Sequence, residues 1–155
     1  MSEESVNDTQ TREYITVRIG PQLFGLQILD VHDVFNPENM TPVPMSRPEL
    51  AGVLNLRGRI VTAIDMRRRL GLGDRDDDTS PMAVGIDHSG ESYGLLIDEV
   101  GEVLSLADNS IEANPANLDP RWAEVSLGVQ RLDGRLLVIL DVSKILRFAG
   151  EALAA

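Results

Sequence analysis

From Tyr14 to Ile19 apolar and polar residues alternate; Gly20-Pro21-Gln22 then interrupts, and Phe24, Leu26 and Ile28 resume the two-residue period. That pattern predicts a hairpin with one buried face. A second hairpin is predicted where Ala83–Asp87 and Tyr93, Leu95 and Ile97 flank His88-Ser89-Gly90-Glu91. Three prolines (Pro42, Pro44, Pro48) keep residues 41–48 extended. Further hairpins follow, with strands at Val53–Leu56 and Arg59–Ile64 around Arg57-Gly58, and at Val129–Leu132 and Arg135–Leu140 around Asp133-Gly134. Asp-Gly is a strong two-residue turn signal, since both positions tolerate φ > 0. Ile60-Val61 and Leu136-Leu137-Val138-Ile139-Leu140 are unbroken apolar runs, as expected of strands packed on both faces, so Ile60, Val61, Ile64, Leu136, Val138 and Leu140 are core candidates. Asp65 and Asp141 are placed to cap short helices over 66–70 and 142–148, with Gly71 closing the first. A further short helix is expected between residues 115 and 125.

These elements repeat. Phe24–Val34 aligns without gaps on Tyr93–Val103, with 5 of 11 positions identical, and Gly52–Leu70 aligns on Gly128–Leu146, with 7 of 19 identical. Two copies of a mainly β unit, each with four or more short strands, predict two small β-barrels. Their ranges are about 14–80 and 81–149, and strand exchange between them is left open. Residues 1–12 read as a flexible tail, 150–155 as a C-terminal tail, and Asp74–Asp78 as part of a charged linker.

Composition narrows the function. A net charge of −11 argues against nucleic acid and against anionic lipid, both of which need clustered Lys and Arg. The absence of cysteine excludes disulfides and thiol chemistry. The polar start lacks a signal peptide's apolar core, and no apolar run reaches the ~20 residues of a membrane helix, so a soluble intracellular protein without membrane insertion is expected. Gly90-Glu91-Ser92-Tyr93-Gly94 matches a nucleophile elbow, but both histidines, His32 and His88, precede Ser92, and the segment falls in a hairpin. Asp74–Asp78 lacks the central glycine and final glutamate of a calcium loop. Neither histidine has a partner at metal spacing, and no phosphate loop is present. No catalytic residue, cofactor or metal is expected.

One mismatch between the copies stands out, because where the second has the turn former Asp133, the first has Arg57. An arginine gains nothing from a tight turn, and its five donors project outward. Repeat logic leaves two readings open, a surface salt bridge or a recognition residue.

Gly52-Val53-Leu54-Asn55-Leu56-Arg57-Gly58-Arg59-Ile60-Val61, closing on Asp65-Met66-Arg67, resembles the signature of the CheW family of chemotaxis adaptors. The Phe24-Gly25-Leu26 block, Pro44 and Val100–Leu106 support the likeness, which spans about residues 12–149. The departures are Met66 for Leu, and Thr62-Ala63 for a Pro or Val pair. The resemblance implies two SH3-like five-stranded barrels sharing a hydrophobic core, and a non-catalytic scaffold. It implies binding to the regulatory domain of the histidine kinase CheA and to the cytoplasmic tip of a chemoreceptor, at receptor arrays on the inner face of the membrane. CheA's regulatory domain resembles the same two-barrel unit, so alternating contacts can close into rings. On this resemblance Asn55, Leu56, Arg57 and Gly58 belong to the coupling motif, and Val31 and Asp33 to the kinase- and receptor-contact surface. Val103, in the matching block of the other half, is a further candidate. The alternatives are a CheW-like coupler of another kinase array, for surface motility or development, and a detached kinase regulatory domain.

Overall fold

The two copies of the repeat trade their first hairpins. The computed structural model describes residues 10–73 and 80–147. In the first copy β1 (Thr11–Ile19), β2 (Gln22–Gln27), β3 (Val31–Phe35), β4 (Leu50–Leu56) and β5 (Arg59–Asp65) lead into the one-turn helix α1 (Met66–Arg69). The second copy runs β6 (Met82–His88), β7 (Glu91–Ile97), β8 (Glu99–Ala107), α2 (Pro120–Ala123), β9 (Ser126–Leu132), β10 (Arg135–Leu140) and α3 (Val142–Ile145). The strands form two five-stranded sheets, ordered β8-β1-β2-β10-β9 and β3-β6-β7-β5-β4. Each sheet therefore takes its central hairpin from one copy and three strands from the other. The contiguous division at residues 80 and 81 is corrected accordingly: it separates the repeats and not the sheets. The expected tail also shortens, since β1 begins at Thr11. Residues 1–9, the Asp74–Asp78 run and the 150–155 tail lie outside the described residues.

The exchange preserves register. Parallel pairing sets Phe24 on Val138 in one sheet and Tyr93 on Thr62 in the other, which are repeat-mates on both strands. Beyond β3, Thr41 bridges to Val53 on β4, and beyond β8, Glu112 bridges to Val129 on β9. Both bridges bring the two ends of a sheet toward each other. They also explain a shared glycine. A Cβ on Gly52 would lie 2.6 Å from the Thr41 carbonyl oxygen, and one on Gly128 would lie 2.5 Å from that of Glu112. Their φ of +155° and +151° is disfavoured for L side chains. Gly52→Ala and Gly128→Ala are each expected to lose about 1–3 kcal/mol from backbone strain alone. Urea melts with midpoints unmoved in both would show that the bridges yield freely.

The exchange creates one core between the sheets and a smaller one on the far face of each. Phe24, Leu26, Ile64, Leu95, Val138 and Leu140 are among those in the central core. Phe35, Leu54, Val61 and Leu96 form the second, and Tyr14, Leu137 and Ile139 the third. Val138 and Leu140 face one core and Leu137 and Ile139 another, which is why β10 is apolar throughout.

Short helices seal the ends. The Asp65 carboxylate accepts from the Arg68 amide at 3.3 Å, and Asp141 accepts from Ser143 at 2.9 Å. Asp119 caps α2 with Pro120 in its first turn. Trp122 packs edge-on to Phe24 at 5.3 Å and donates its indole N–H to the Leu70 carbonyl.

Two expectations need correction. Ile60 is 64% exposed, while Val61 and Ile64 are buried and Leu136 is half-buried. Next to the turn, the alternate face of β5 has nothing above it. Ile60→Ala is therefore expected to move stability by less than about 0.5 kcal/mol, against about 2–5 kcal/mol for Ile64→Ala. Equal losses in denaturant melts would contradict this placement. The other correction concerns turns. Arg57 and Gly58 both have positive φ, +52° and +87°, whereas at Asp133-Gly134 only the glycine does. The two-residue turn with both φ positive belongs to the arginine, not to the Asp-Gly pair.

Candidate partner-binding surface

Arg57 sits at the tip of the β4–β5 hairpin, between the paired residues Leu56 and Arg59. An arginine with φ of +52° holds a conformation better suited to Gly, Asn or Asp. Its neighbours maintain the turn: the Asn55 side-chain oxygen accepts from the Gly58 amide at 2.9 Å, and Gly58 faces open space. Leu56 packs partly on the core containing Phe35 and Leu54. The Arg57 side chain is 80% exposed, and its guanidinium stands 3.9 Å from Asp33 Oδ2. That separation is too long for a hydrogen bond, and an ion pair at such exposure contributes little to stability. A turn held under local strain to present a solvated five-donor group favours recognition over a structural salt bridge.

Closure of the sheet ends brings β3 to this tip. Asp33 leans over Gly85, where a Cβ would collide with its Oδ1. That oxygen is buried without a hydrogen-bond partner, and the other faces Arg57. Beside it, His32 lies 3.7 Å from Asp33 and 4.0 Å from Asp87. Asp87 in turn accepts from the Ser92 hydroxyl at 3.0 Å and faces Arg59 at 3.7 Å. Ser92 thus donates to a carboxylate rather than to a histidine, so these contacts do not assemble the serine–base pair of a nucleophile elbow. The result is a mixed-charge ridge over a shallow depression lined by Leu56, Ile86 and Tyr93.

Of the sequence-derived candidates, Asp33 meets Arg57 directly, and Asn55, Leu56 and Gly58 build its turn. Val31 opens β3 two residues before Asp33 and is half-buried against the central core. Val103 stands apart, 46% exposed on β8, an end strand of the other sheet. Its repeat-mate is Val34, itself 38% exposed. The residues missed were Arg59 and Asp87, and Ile60, which the apolar run assigned to the core. Arg59 has an arginine mate in Arg135, so the repeat carried no signal there.

The family model described as CheW-like domain matches residues 13–149. The chain is 30% identical over 134 residues to the chemotaxis protein CheW of Thermotoga maritima, covering 86% of this chain and 87% of that one. It is 27% identical to that of Klebsiella aerogenes, covering 90% and 84%. Among solved structures it is similar to the scaffolding protein TtCheW from Thermoanaerobacter tengcongensis, with a TM-score of 0.80 and 27% identity over 92% of this chain and 97% of that one.

Proposed function

The chain belongs to the CheW-like family, and from that premise we propose that it is a chemotaxis scaffold coupling chemoreceptors to the histidine kinase CheA. The observation carrying the site assignment is Arg57, held in a left-handed turn and exposed at a hairpin tip. Around it Asn55, Leu56, Gly58, Val31 and Asp33 form the contact surface, with Ile60 adding an exposed apolar group. The partners are the regulatory domain of CheA and the cytoplasmic tip of a receptor, with Val103 on a separate surface.

A scaffold transmits receptor state only if its bound states differ in free energy. Two sheets packed on one core can do this without a chemical step, provided that a partner on one face favours one of two arrangements of the other. Alternation with the two-barrel regulatory domain of the kinase would extend such contacts into rings beneath the membrane. A pull-down of purified CheA regulatory domain on the immobilised chain is the test. Retention that survives a wash, and that Arg57→Ala or Val103→Asp weakens, supports the reading. No retention, with receptor tips also failing to bind, would overturn it.

A further inference from the structure

One residue beside Arg57 is set apart by the geometry of its strand. From Val31 to Val34 β3 advances three residues while β6, from Ile86 to Val84, advances two. From Val100 to Val103 β8 likewise advances three against two on β1, Val17 to Ile15. Both copies therefore carry the same bulge, at matching places in an end strand. In the second copy the bulge includes Gly101, where a Cβ would collide with the Thr16 hydroxyl. In the first copy the mate of that glycine is His32, with its side chain 50% exposed. A bulge takes a residue out of the ladder and re-aims its side chain. Here it aims an ionisable ring at the Arg57 surface.

His32 stands between two ion pairs. Its Nδ1 lies 3.7 Å from Asp33 Oδ1, and its Nε2 lies 4.0 Å from Asp87 Oδ2 on β6. Behind these carboxylates stand the guanidinium groups of the β4–β5 hairpin, Arg57 at 3.9 Å from Asp33 Oδ2 and Arg59 at 3.7 Å from Asp87 Oδ1. The two aspartates are not equally served. Asp87 accepts from the Ser92 hydroxyl, whereas Asp33 Oδ1 is buried and accepts no hydrogen bond. Two arginines and two aspartates cancel, so the imidazole proton decides the net charge of the group.

We propose that protonation of His32 tightens the hold of this surface on its partner, an inference that rests on the reading of Arg57 as a contact residue. Histidine exchanges its proton between about pH 5 and 8. An imidazolium that closes the gap to Asp33 gives the buried oxygen a charge-assisted donor, and a buried acceptor left unmet is costly. Asp33 is then shared, and Arg57 is freer to leave it. The group also passes from neutral to one positive charge. Both changes favour a partner that offers carboxylates or carbonyls to Arg57. The matching bulge, with Gly101 in place of the imidazole, has no such response.

Calorimetric titration with the purified CheA regulatory domain, at about pH 8 and about pH 6, tests this. The Kd is expected to fall about twofold to fivefold between the two, the scale of one exposed ion pair. His32→Gln should abolish the change. His88→Gln, which alters the chain's other histidine, close to Asp30, should retain it. The partner's own titration is common to all three proteins, so the difference between them is the readout. In the free chain, the Arg57 side-chain NMR signal should shift with the same midpoint as the His32 ring. An equal change of Kd in wild type and His32→Gln, or Arg57 signals that do not follow His32, would overturn the inference and leave the scaffold reading standing. Absence of binding at both pH values would overturn that reading, and this inference with it.

Discussion

Arg57→Ala is expected to reduce affinity for the kinase or receptor partner by about ten- to a hundredfold while leaving the melting temperature nearly unchanged. The loss corresponds to about 1–3 kcal/mol for one charged hydrogen-bonding anchor at an interface. Stability should not move, because the guanidinium is 80% exposed and 3.9 Å from Asp33, and because alanine is as poorly suited as arginine to a φ of +52°. A second variant sharpens the test. Asparagine tolerates the left-handed region, so Arg57→Asn should lose the same affinity yet gain up to about 1 kcal/mol of stability. Opposite movement of binding and stability in one variant is the signature of a recognition residue retained at a structural cost. Asp133→Ala at the mate turn should act on stability more than on coupling. Calorimetric titration with CheA regulatory domain, alongside thermal melts, reads both quantities. If Arg57→Ala unfolds the protein while binding per folded molecule is retained, the residue is structural and the surface must be reassigned.

The largest stability loss from a single polar substitution is expected at Asp98. Its carboxylate accepts from the Gly20 amide at 2.8 Å and from Arg67 at 2.6 and 3.0 Å, joining the first turn and α1 to the end of β7. Asp98→Ala removes the carboxylate that Arg67, 17% exposed, bonds through two of its nitrogens. Breaking a buried pair from one side costs about 3–5 kcal/mol, a large share of the 5–15 kcal/mol that stabilises a typical domain. Arg67→Ala should cost a similar amount. The double variant should lose far less than the two singles combined, since removing both charges leaves neither stranded. Urea unfolding of the four proteins measures the coupling. Simple additivity would show that the two residues act independently, and that the joint is held by packing.

Much of this molecule was legible along the chain because the signals are local. The period-two pattern placed the hairpins, and the caps at Asp65 and Asp141 follow from aspartate's ability to accept from free amides one turn ahead. The apolar run of β10 announced a strand buried on both faces, and the Arg57–Asp133 mismatch pointed to the tip that proved exposed. What the chain left undecided was non-local. Both copies carry the same apolar pattern, so contiguous and exchanged hairpins bury similar residues. The pairings between copies decide: β1 with β8 and β2 with β10 in one sheet, β6 with β3 and β7 with β5 in the other. Ile60 was misplaced because periodicity shows that a side chain is apolar, not whether anything lies above it. The approach of Asp33 to Arg57 needed the sheet ends to meet. Composition, period and turn chemistry determined the elements. Long-range pairing, which no local preference encodes, decided which surfaces they share.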